Sequence, residues 1–372
     1  MSFPGFPLDP SPTLAHETAR TSSVLRLTPR SLATCLAACA ALVACQSDRA
    51  PASARSAEDG ISVVGGVPFR AVFEVVDRIA LEEPAGIVNV WPVASIAADE
   101  FLIADTREAQ VRVYSPTGKL RRAFGPGTGQ VESLSYLVRA VRLEDSALLT
   151  AGLLGQLTVI PEVAAEAAYT VATPLFLLRD VVVLDEPRIL LVGPDSSSAA
   201  LLHIWDIQRE RIVRSFFVPP TRFDRAVITT FPTVAVATRA GTIAAAYTFS
   251  DTIVFFDTLG TEQSRLHIPI QPFVVPGRSL PPAGNGAERQ ALVNRFTPIQ
   301  DLFWIDDDQL LVQWAKGTAF GQEWGLLLMD TQGKRVWAIA PAPRLVGVRG
   351  DDFLFESPRG ESPNEWVVAR MH

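Results

Sequence analysis

Three cysteines near the N-terminus are the first residues whose spacing suggests chemistry. Cys35, Cys39 and Cys45 lie close together, and no cysteine follows them. The four-residue step from Cys35 to Cys39 is compatible with a shared metal ion. No histidine or further cysteine accompanies the three, however, and the residues around them are apolar and rich in alanine. The pattern therefore favours another use of these thiols over metal binding.

The segment around the cysteines has the pattern of an export signal. Arg26 and Arg30 precede an apolar run from Ser31 to Val43, which is too short for a bilayer core that needs about 20 residues. Small residues then lead to the thiol in the order Leu42-Val43-Ala44-Cys45. This order resembles the lipobox of bacterial lipoproteins, in which the cysteine is diacylated and becomes the mature N-terminus. An ordinary signal peptide cleaved nearby, or a plain buried helix, is the alternative.

The resemblance implies three parts: a lipoprotein signal peptide at 1–44, a flexible tether at 45–66 and a folded domain at 67–372. Gln46 follows the lipidated thiol, and by the sorting rule of Gram-negative bacteria it implies an anchor in the outer membrane. The stretch from Met1 to Val24 is rich in proline and serine and is unlike a signal peptide. A true start at Val24 or Leu25 would explain this departure.

The few histidines and the absence of a serine-nucleophile motif limit the classes of enzyme to which the chain could belong. The sequence has four histidines. His16 lies before the anchor and His372 is the last residue of the sequence. His203 is expected on a third strand and His267 on a fourth strand, both as half-buried or surface side chains. A histidine-dependent metal centre is therefore not expected. No Gly-x-Ser-x-Gly motif marks a serine nucleophile. The glycine-rich run at 125–129 lacks the lysine of a phosphate-binding loop and lies between predicted strands, so it is interpreted as a turn between repeats.

Carboxylates could still form an all-oxygen calcium site. Asp105, Asp180 and Asp301 are the candidate ligands, the last two on predicted inner strands. The alternative is that Asp105 caps a turn and that the inner aspartates line a wet channel. The three consecutive aspartates at 306–308 are expected to form a solvated hairpin tip.

The elements that must position these residues are short strands. From Phe69 onward, apolar runs of strand length are separated by turn residues, with almost no helical periodicity. One hairpin recurs: an apolar strand ends at Ser115, Asp206, Asp257 or Asp330, and a turn follows that contains glycine or a polar residue. Serine or aspartate opens such a turn by accepting a backbone N–H, and glycine supplies the positive φ that closes it.

A second repeat predicts the architecture. Six copies of an earlier strand begin near Phe101, Ala147, Ile189, Ile243, Leu310 and Phe353. Their separation is close to the roughly 40–50 residues of a four-stranded propeller blade. The last copy lacks an outer strand, which the run from Phe69 to Val76 can supply. The sequence therefore predicts an all-β chain, a six-bladed β-propeller whose N-terminal strand closes the last blade and covers its edge.

One repeat resembles a known family. Residues 101–125 read as a strand ending in Ala-Asp, a polar turn, a strand ending at Tyr114-Ser115, then Gly118-Lys119 and a closing Phe124-Gly125. This segment resembles an NHL repeat, and weaker matches lie at 252–264 and 324–336. The resemblance implies an NHL-like propeller similar to those of bacterial lipoproteins.

The long connections are expected on one face of the propeller, where loops join strand two to three and strand four to the next blade. The insertion from Gln271 to Arg295 and the segment from Lys316 to Glu323 belong to this face. Loops on a rigid scaffold commonly carry function. The binding candidates on this face are Asp105, Arg107, Glu108, Arg278, Arg289, Arg295, Phe320 and Trp324. An unconstrained surface insertion is the alternative.

Composition and the missing catalytic set suggest a binding role. A net charge of −7 gives no basic face for nucleic acid. The first hypothesis is an envelope-anchored binding module, without a cofactor, for a protein, peptide or glycan. The second is a calcium-dependent hydrolase or lyase similar to the propeller lactonases, and a purely structural scaffold is a third.

Overall fold

The computed structural model describes residues 62–82, 93–97, 99–106, 108–126, 128, 131, 134, 136–144, 146–162, 167–220, 233–268, 297–316, 323–357 and 364–372. The expected signal peptide, the expected lipidation site Cys45 and most of the expected tether lie outside these residues. Within them, strands dominate, and the only helical element is a 3-10 turn at Phe69–Ala71.

The strands form six small sheets, here called blades 1 to 6. The first two strands are β1 (Ser62–Val67) and β2 (Phe73–Ala80). Blade 1 contains β3 (Val93–Ile96), β4 (Phe101–Asp105), β5 (Gln110–Tyr114) and β6 (Leu120–Phe124). Blade 2 contains β7 (Leu137–Arg142), β8 (Leu148–Gly152), β9 (Gln156–Ile160) and β10 (Tyr169–Ala172). Blade 3 contains β11 (Asp180–Asp185), β12 (Arg188–Val192), β13 (Leu202–Asp206) and β14 (Arg211–Phe216).

The second half of the ring repeats this order. Blade 4 contains β15 (Val234–Arg239), β16 (Thr242–Tyr247), β17 (Thr252–Asp257) and β18 (Glu262–His267). Blade 5 contains β19 (Ile299–Trp304), β20 (Gln309–Lys316), β21 (Glu323–Asp330) and β22 (Arg335–Ala342). Blade 6 contains β23 (Leu345–Arg349), β24 (Asp352–Glu356) and β25 (Glu365–Met371). Each of the six predicted second strands lies within one residue of its expected start.

The blades form a closed ring. The first strand of every blade contacts the first strands of both neighbours, and β23 of blade 6 returns to β3 of blade 1. The buried side chains divide into six hydrophobic clusters, each shared by two neighbouring blades. The prediction of a six-bladed β-propeller is therefore confirmed.

The N-terminal closure is also confirmed, with a shifted boundary. β2 pairs antiparallel with β25, from Phe73 opposite Met371 to Ala80 opposite Glu365, and forms the outer strand of blade 6. The predicted strand began at Phe69, but Phe69–Ala71 form the 3-10 turn. The Phe69 ring lies 5.0 Å from that of Phe73 and 5.0 Å from that of Phe355. Its apolar character therefore reflects packing of the turn onto blade 6.

β1 was not expected. It pairs in parallel with β22 as a fifth strand of blade 5, with Ser62 opposite Arg335 and Val67 opposite Ile339. Residues 62–66 had been assigned to the flexible tether, so that boundary is corrected to an earlier residue. The physical reason is the free edge of β22, which offers backbone groups that a strand of modest propensity can satisfy.

The recurring hairpin turn also packs the ring together. Gly118, Gly260 and Gly333 have φ values of +83°, +73° and +70°. A Cβ atom on these glycines would lie 2.2 Å from Ala80 O, 2.7 Å from Phe216 Cδ1 and 2.4 Å from Leu266 Cδ1 respectively. Each contacted residue belongs to the outer strand of the preceding blade. These glycines therefore serve both the turn and the close approach between blades.

Candidate functional site

Backbone hydrogen bonds define one face of the ring around blade 2. Leu153 N, in the turn between β8 and β9, donates to Tyr136 O in the segment that enters β7, at 2.8 Å. Leu178 N, in the segment that enters β11, donates to Leu153 O at 2.8 Å, and Thr173 N donates to Gly155 O at 2.8 Å. Connections between strands two and three and between successive blades therefore adjoin one another here. We call this side the loop face.

Three large hydrophobic side chains are exposed on the adjoining turns of this face. Tyr136, Leu154 and Phe176, here called the apolar trio, are 43%, 47% and 47% exposed. Their neighbours Leu175 and Leu178 are buried in the cluster between blades 2 and 3. These buried neighbours anchor the turns in the hydrophobic core, while the side chains of the trio face solvent. Exposed apolar groups that adjoin one another commonly mark binding surfaces.

The backbone at Tyr136 is strained. Its φ is +50°, in the left-handed region, where an L-residue other than glycine pays a conformational cost. The hydrogen bond from Leu153 N to Tyr136 O holds this conformation. Strained residues that the surrounding fold maintains often occur at functional sites.

Four charged side chains form an axial cluster beside the trio. Asp180 begins β11, Arg139 lies on β7, Asp301 lies on β19 and Arg344 directly precedes β23. Arg139 Nε lies 3.4 Å from Asp180 Oδ1. Arg139 also acts electrostatically on Asp301, which belongs to the blade diametrically opposite in a six-bladed ring. The cluster therefore lies where the inner strands face the ring axis.

Burial changes the acidity of both aspartates. It raises the pKa of Asp301 to about 6, with Arg344 and Arg139 opposing the rise and Asp180 adding to it. Burial also raises the pKa of Asp180, against the opposing effect of Arg139. Gln313 Nε2 reaches Asp301 Oδ2 at 3.4 Å, and the same amide group bonds both the N–H and the carbonyl of Leu345. Gln313 therefore links blade 5 to blade 6 through its hydrogen bonds to Leu345, next to Asp301.

Asp105 caps a turn of blade 1. It ends β4 and accepts a hydrogen bond from Glu108 N at 3.0 Å, as a turn cap does. Arg112 Nη2 lies 3.3 Å from Asp105 Oδ2. Among the described residues, no group of three or more acidic, histidine or cysteine side chains is arranged to hold a metal ion. Asp105, Asp180 and Asp301 are thus not brought together there as one calcium site.

Most of the binding candidates named from the sequence cannot be placed. Arg107, Arg278, Arg289, Arg295 and Phe320 lie outside the described residues. Trp324 lies in β21, beside the connection from strand two to strand three, and the Arg344 guanidinium stacks over its ring at 5.3 Å. Trp324 is therefore linked to the axial cluster through Arg344.

Sequence reasoning missed the apolar trio. Its members lie in connections around blade 2, whereas the longest insertions that the sequence indicates lie in later blades. Tyr136, Leu154 and Phe176 are large apolar residues in connections between strands, where small and polar residues are usual.

His203 requires a correction. It lies on the third strand of blade 3 as predicted, but it is fully buried rather than half-buried or exposed. Its Nδ1 lies 2.8 Å from Ser215 Oγ and its Nε2 lies 2.9 Å from Gly193 O. Burial lowers the pKa of His203, against the hydrogen bond to Gly193 and the charge of Asp195. The contacts are those of a satisfied structural histidine.

Two further predicted features lie at opposite ends of the strands, His267 at the loop face and the three consecutive aspartates at the other side. His267, at the end of the outer strand β18, is largely exposed. Asp306, Asp307 and Asp308 are exposed in the turn between β19 and β20, where Asp308 N donates to Asp306 Oδ1 at 2.8 Å. Arg239 Nε lies 2.7 Å from Asp307 Oδ1. This geometry is that of the expected solvated hairpin tip.

Two solved structures share the fold. One is a protein of Bacteroides fragilis NCTC 9343 that is named an exported protein, with 13% identity, a TM-score of 0.55 and coverage of 84% of this chain and 100% of that chain. The other is a member of the DUF4221 family from Bacteroides vulgatus ATCC 8482, with 7% identity, a TM-score of 0.54 and coverage of 81% and 98%. At such identities the likeness concerns the fold alone.

No family model matches the chain, and no curated protein matches it in sequence. In the part of the chain that the structure describes, no helix is long and apolar enough to cross a membrane.

Proposed function

We propose that the chain is an exported, lipid-anchored binding module that uses the loop face of its propeller to hold a partner in the cell envelope. The observation that carries the proposal is the apolar trio exposed beside the axial cluster. Apolar side chains next to a few buried charges are typical of recognition sites, because the first supply binding energy and the second supply selectivity.

Export and anchoring are supported by the sequence before the propeller. Leu42-Val43-Ala44-Cys45 resembles a lipobox, Gln46 agrees with an outer-membrane destination, and a structural neighbour is named an exported protein. The same proposal includes the resemblance of residues 101–125 to an NHL repeat. Cys45→Ala tests the anchor: the variant should leave the membrane fraction for the soluble one, and a variant that still partitions with membranes would contradict it.

Selective blocking of one face tests the binding role. The chain from Gln46 onward contains the whole described propeller and no cysteine, so a single introduced thiol can carry a bulky polyethylene glycol maleimide. Leu154→Cys places the polymer on the loop face. Leu259→Cys is the matched control, because Leu259 is 56% exposed and lies in the turn between β17 and β18 at the opposite end of the strands.

We expect the polymer at residue 154 to abolish capture of a partner from envelope extract, whereas the polymer at 259 leaves capture intact. Deletion of Pro276 to Glu288 gives a second variant on the insertion expected to belong to this face. Equal capture by both conjugates would contradict a role for the loop face. Metal analysis of the purified protein separates the calcium-dependent alternative, which requires tightly held Ca²⁺.

A further inference from the structure

One blade carries an additional strand. Among the described residues, blade 5 alone has five strands, because β1 lies in parallel along its outer strand β22. Ser62 lies opposite Arg335 and Val67 lies opposite Ile339. An outer strand leaves a row of backbone N–H and C=O groups unpaired, which is a template for the addition of a further strand. The edge of β22 is therefore a surface on which an added strand is observed.

β1 fits this edge imperfectly. The range 64–67 of β1 spans three steps, whereas the paired range 337–339 of β22 spans two, so β1 carries one extra residue. The extra residue lies within Gly65-Gly66, where Gly66 has a φ of +71° and faces open space. Glycine loses more conformational freedom on ordering than other residues do, and parallel pairs are slightly less stable than antiparallel ones. β1 is therefore a weakly held strand.

The ring is closed by contacts other than those of β1. The Phe69 ring packs on the rings of Phe73 and Phe355, and His372 N donates to Val72 O at 3.1 Å. These contacts hold the 3-10 turn and β2 on blade 6, whereas β1 is held on blade 5. β1 can therefore leave the edge of β22 while the closing strand β2 stays in place.

We propose that the edge of β22 is a strand-exchange site, at which an extended segment of a partner protein replaces β1 and pairs in parallel with residues 335–339. The segment that fits is short, uncharged and rich in β-branched residues, because β1 itself has the sequence Ser-Val-Val-Gly-Gly-Val. A strand without the two glycines would match β22 residue for residue and would lose less conformational freedom. Backbone hydrogen bonds along the edge would supply the affinity.

β1 of a second copy is a poorer occupant of this edge. Only Pro68 separates β1 from the 3-10 turn that is fixed on its own blade 6. Exchange between two copies would therefore require the two propellers to lie in direct contact, whereas a free segment of another protein has no such restriction. The site lies on the outer strand of blade 5, so the inference goes beyond the role proposed for the loop face.

Fluorescein-labelled peptides test the site in a chain whose edge is open. In the chain from Gln46 onward, Val63→Pro with Val64→Pro prevents β1 from pairing, because proline has no N–H to donate. The first peptide has the sequence of residues 60–67, and the second carries one valine in place of Gly65-Gly66. Fluorescence anisotropy should show saturable binding of the first peptide and roughly tenfold tighter binding of the second. A third peptide, with both prolines, should not bind.

A disulfide that locks β1 in place supplies the matched control. The chain from Gln46 onward contains no cysteine, and Ser62 lies directly opposite Arg335, so Ser62→Cys with Arg335→Cys can form the bond. In the reduced form β1 competes at a high effective concentration, so the second peptide should bind more weakly than to the open chain. In the oxidised form binding should disappear. Calorimetry of the open, reduced and oxidised chains shows that each propeller is folded.

Three results would overturn the inference: no binding of the first two peptides to the open chain, equal binding of the proline peptide, or equal binding to the oxidised and reduced chains. A dimer of the reduced chain that the disulfide abolishes would place β1 of a second copy on the edge, and would also overturn the assignment to a partner. The proposed function has a separate readout, because capture that depends on the Leu154→Cys conjugate does not involve β22.

Discussion

At the scale of single residues, the buried polar groups behave in two ways. His203 has hydrogen-bond partners for both ring nitrogens and is fully buried. Asp301 has one long hydrogen bond and a raised pKa of about 6. The first arrangement satisfies a polar group inside the fold, whereas the second leaves a carboxylate whose charge Arg344 and Arg139 offset only in part.

His203 makes stability depend on pH. Burial lowers its pKa in the folded state, so the unfolded chain binds a proton more readily. Stability should therefore fall as pH decreases below about 6.5, with a slope from this group of up to roughly 1.4 kcal/mol per pH unit. His203→Gln removes the titrating group and should flatten this part of the profile, measured by urea unfolding between pH 7.5 and pH 5.

His267→Gln serves as the comparison, since His267 is largely exposed. It should keep the pH profile of the parent chain. A His203→Gln protein that loses stability with acid as steeply as the parent would show that another group controls this range.

The burial of His203 could not be obtained from sequence periodicity. Every residue of β13 is buried, because a third strand lies between two neighbouring blades and is covered on both faces. Strands of this kind lose the alternation of polar and apolar residues that reveals the exposed side.

At the scale of elements, the recurring turn was predictable and its packing was not. The Ser or Asp that opens each turn and the glycine that follows are local signals, and the structure confirms them: Thr261 N donates to Asp257 Oδ1 at 2.8 Å and Lys334 N to Asp330 Oδ1 at 2.8 Å. In blade 3, Glu210 adopts the positive φ of +49° instead. The contact with the preceding blade is long-range and leaves no local signal.

Gly118→Ala tests that contact. A Cβ there would lie 2.2 Å from Ala80 O, while Gly241 has a similar φ of +78° and open space around it. Gly241→Ala should cost about 1–2 kcal/mol for the left-handed backbone. Gly118→Ala should cost a further 1–3 kcal/mol or so, because the close packing must be disturbed.

Urea unfolding of the two variants measures the difference directly. Equal losses of stability would mean that the turn glycine acts through its backbone conformation alone and that the approach to Ala80 can relax freely.

At the scale of the whole molecule, closure depends on β2. Phe73 and Ile79 on this strand are buried, and each such side chain contributes about 1.5–3 kcal/mol. A chain beginning at Pro68 lacks β1 and should unfold cooperatively at a slightly lower temperature. A chain beginning at Glu82 lacks both strands and should lose cooperative unfolding and aggregate, because β25 becomes an open edge.

Calorimetry and light scattering distinguish these truncations, and a synthetic peptide of residues 68–82 should partly restore the shorter chain. If the chain beginning at Glu82 remained monomeric with an unchanged transition, the closing strand would be dispensable.

The number of blades and the role of β2 could be predicted from the repeat spacing. The pairing of β1 could not, because only the three-dimensional neighbourhood of β22 reveals its partner.

The pairing of β2 with β25 also fixes an order of events during biosynthesis. Phe73 leaves the ribosome nearly three hundred residues before its partner Met371. The apolar side chains of β2 therefore stay exposed during that interval, and contacts of such sequence separation form slowly. The interval is an opportunity for aggregation, so a holding chaperone should bind this segment in the nascent chain.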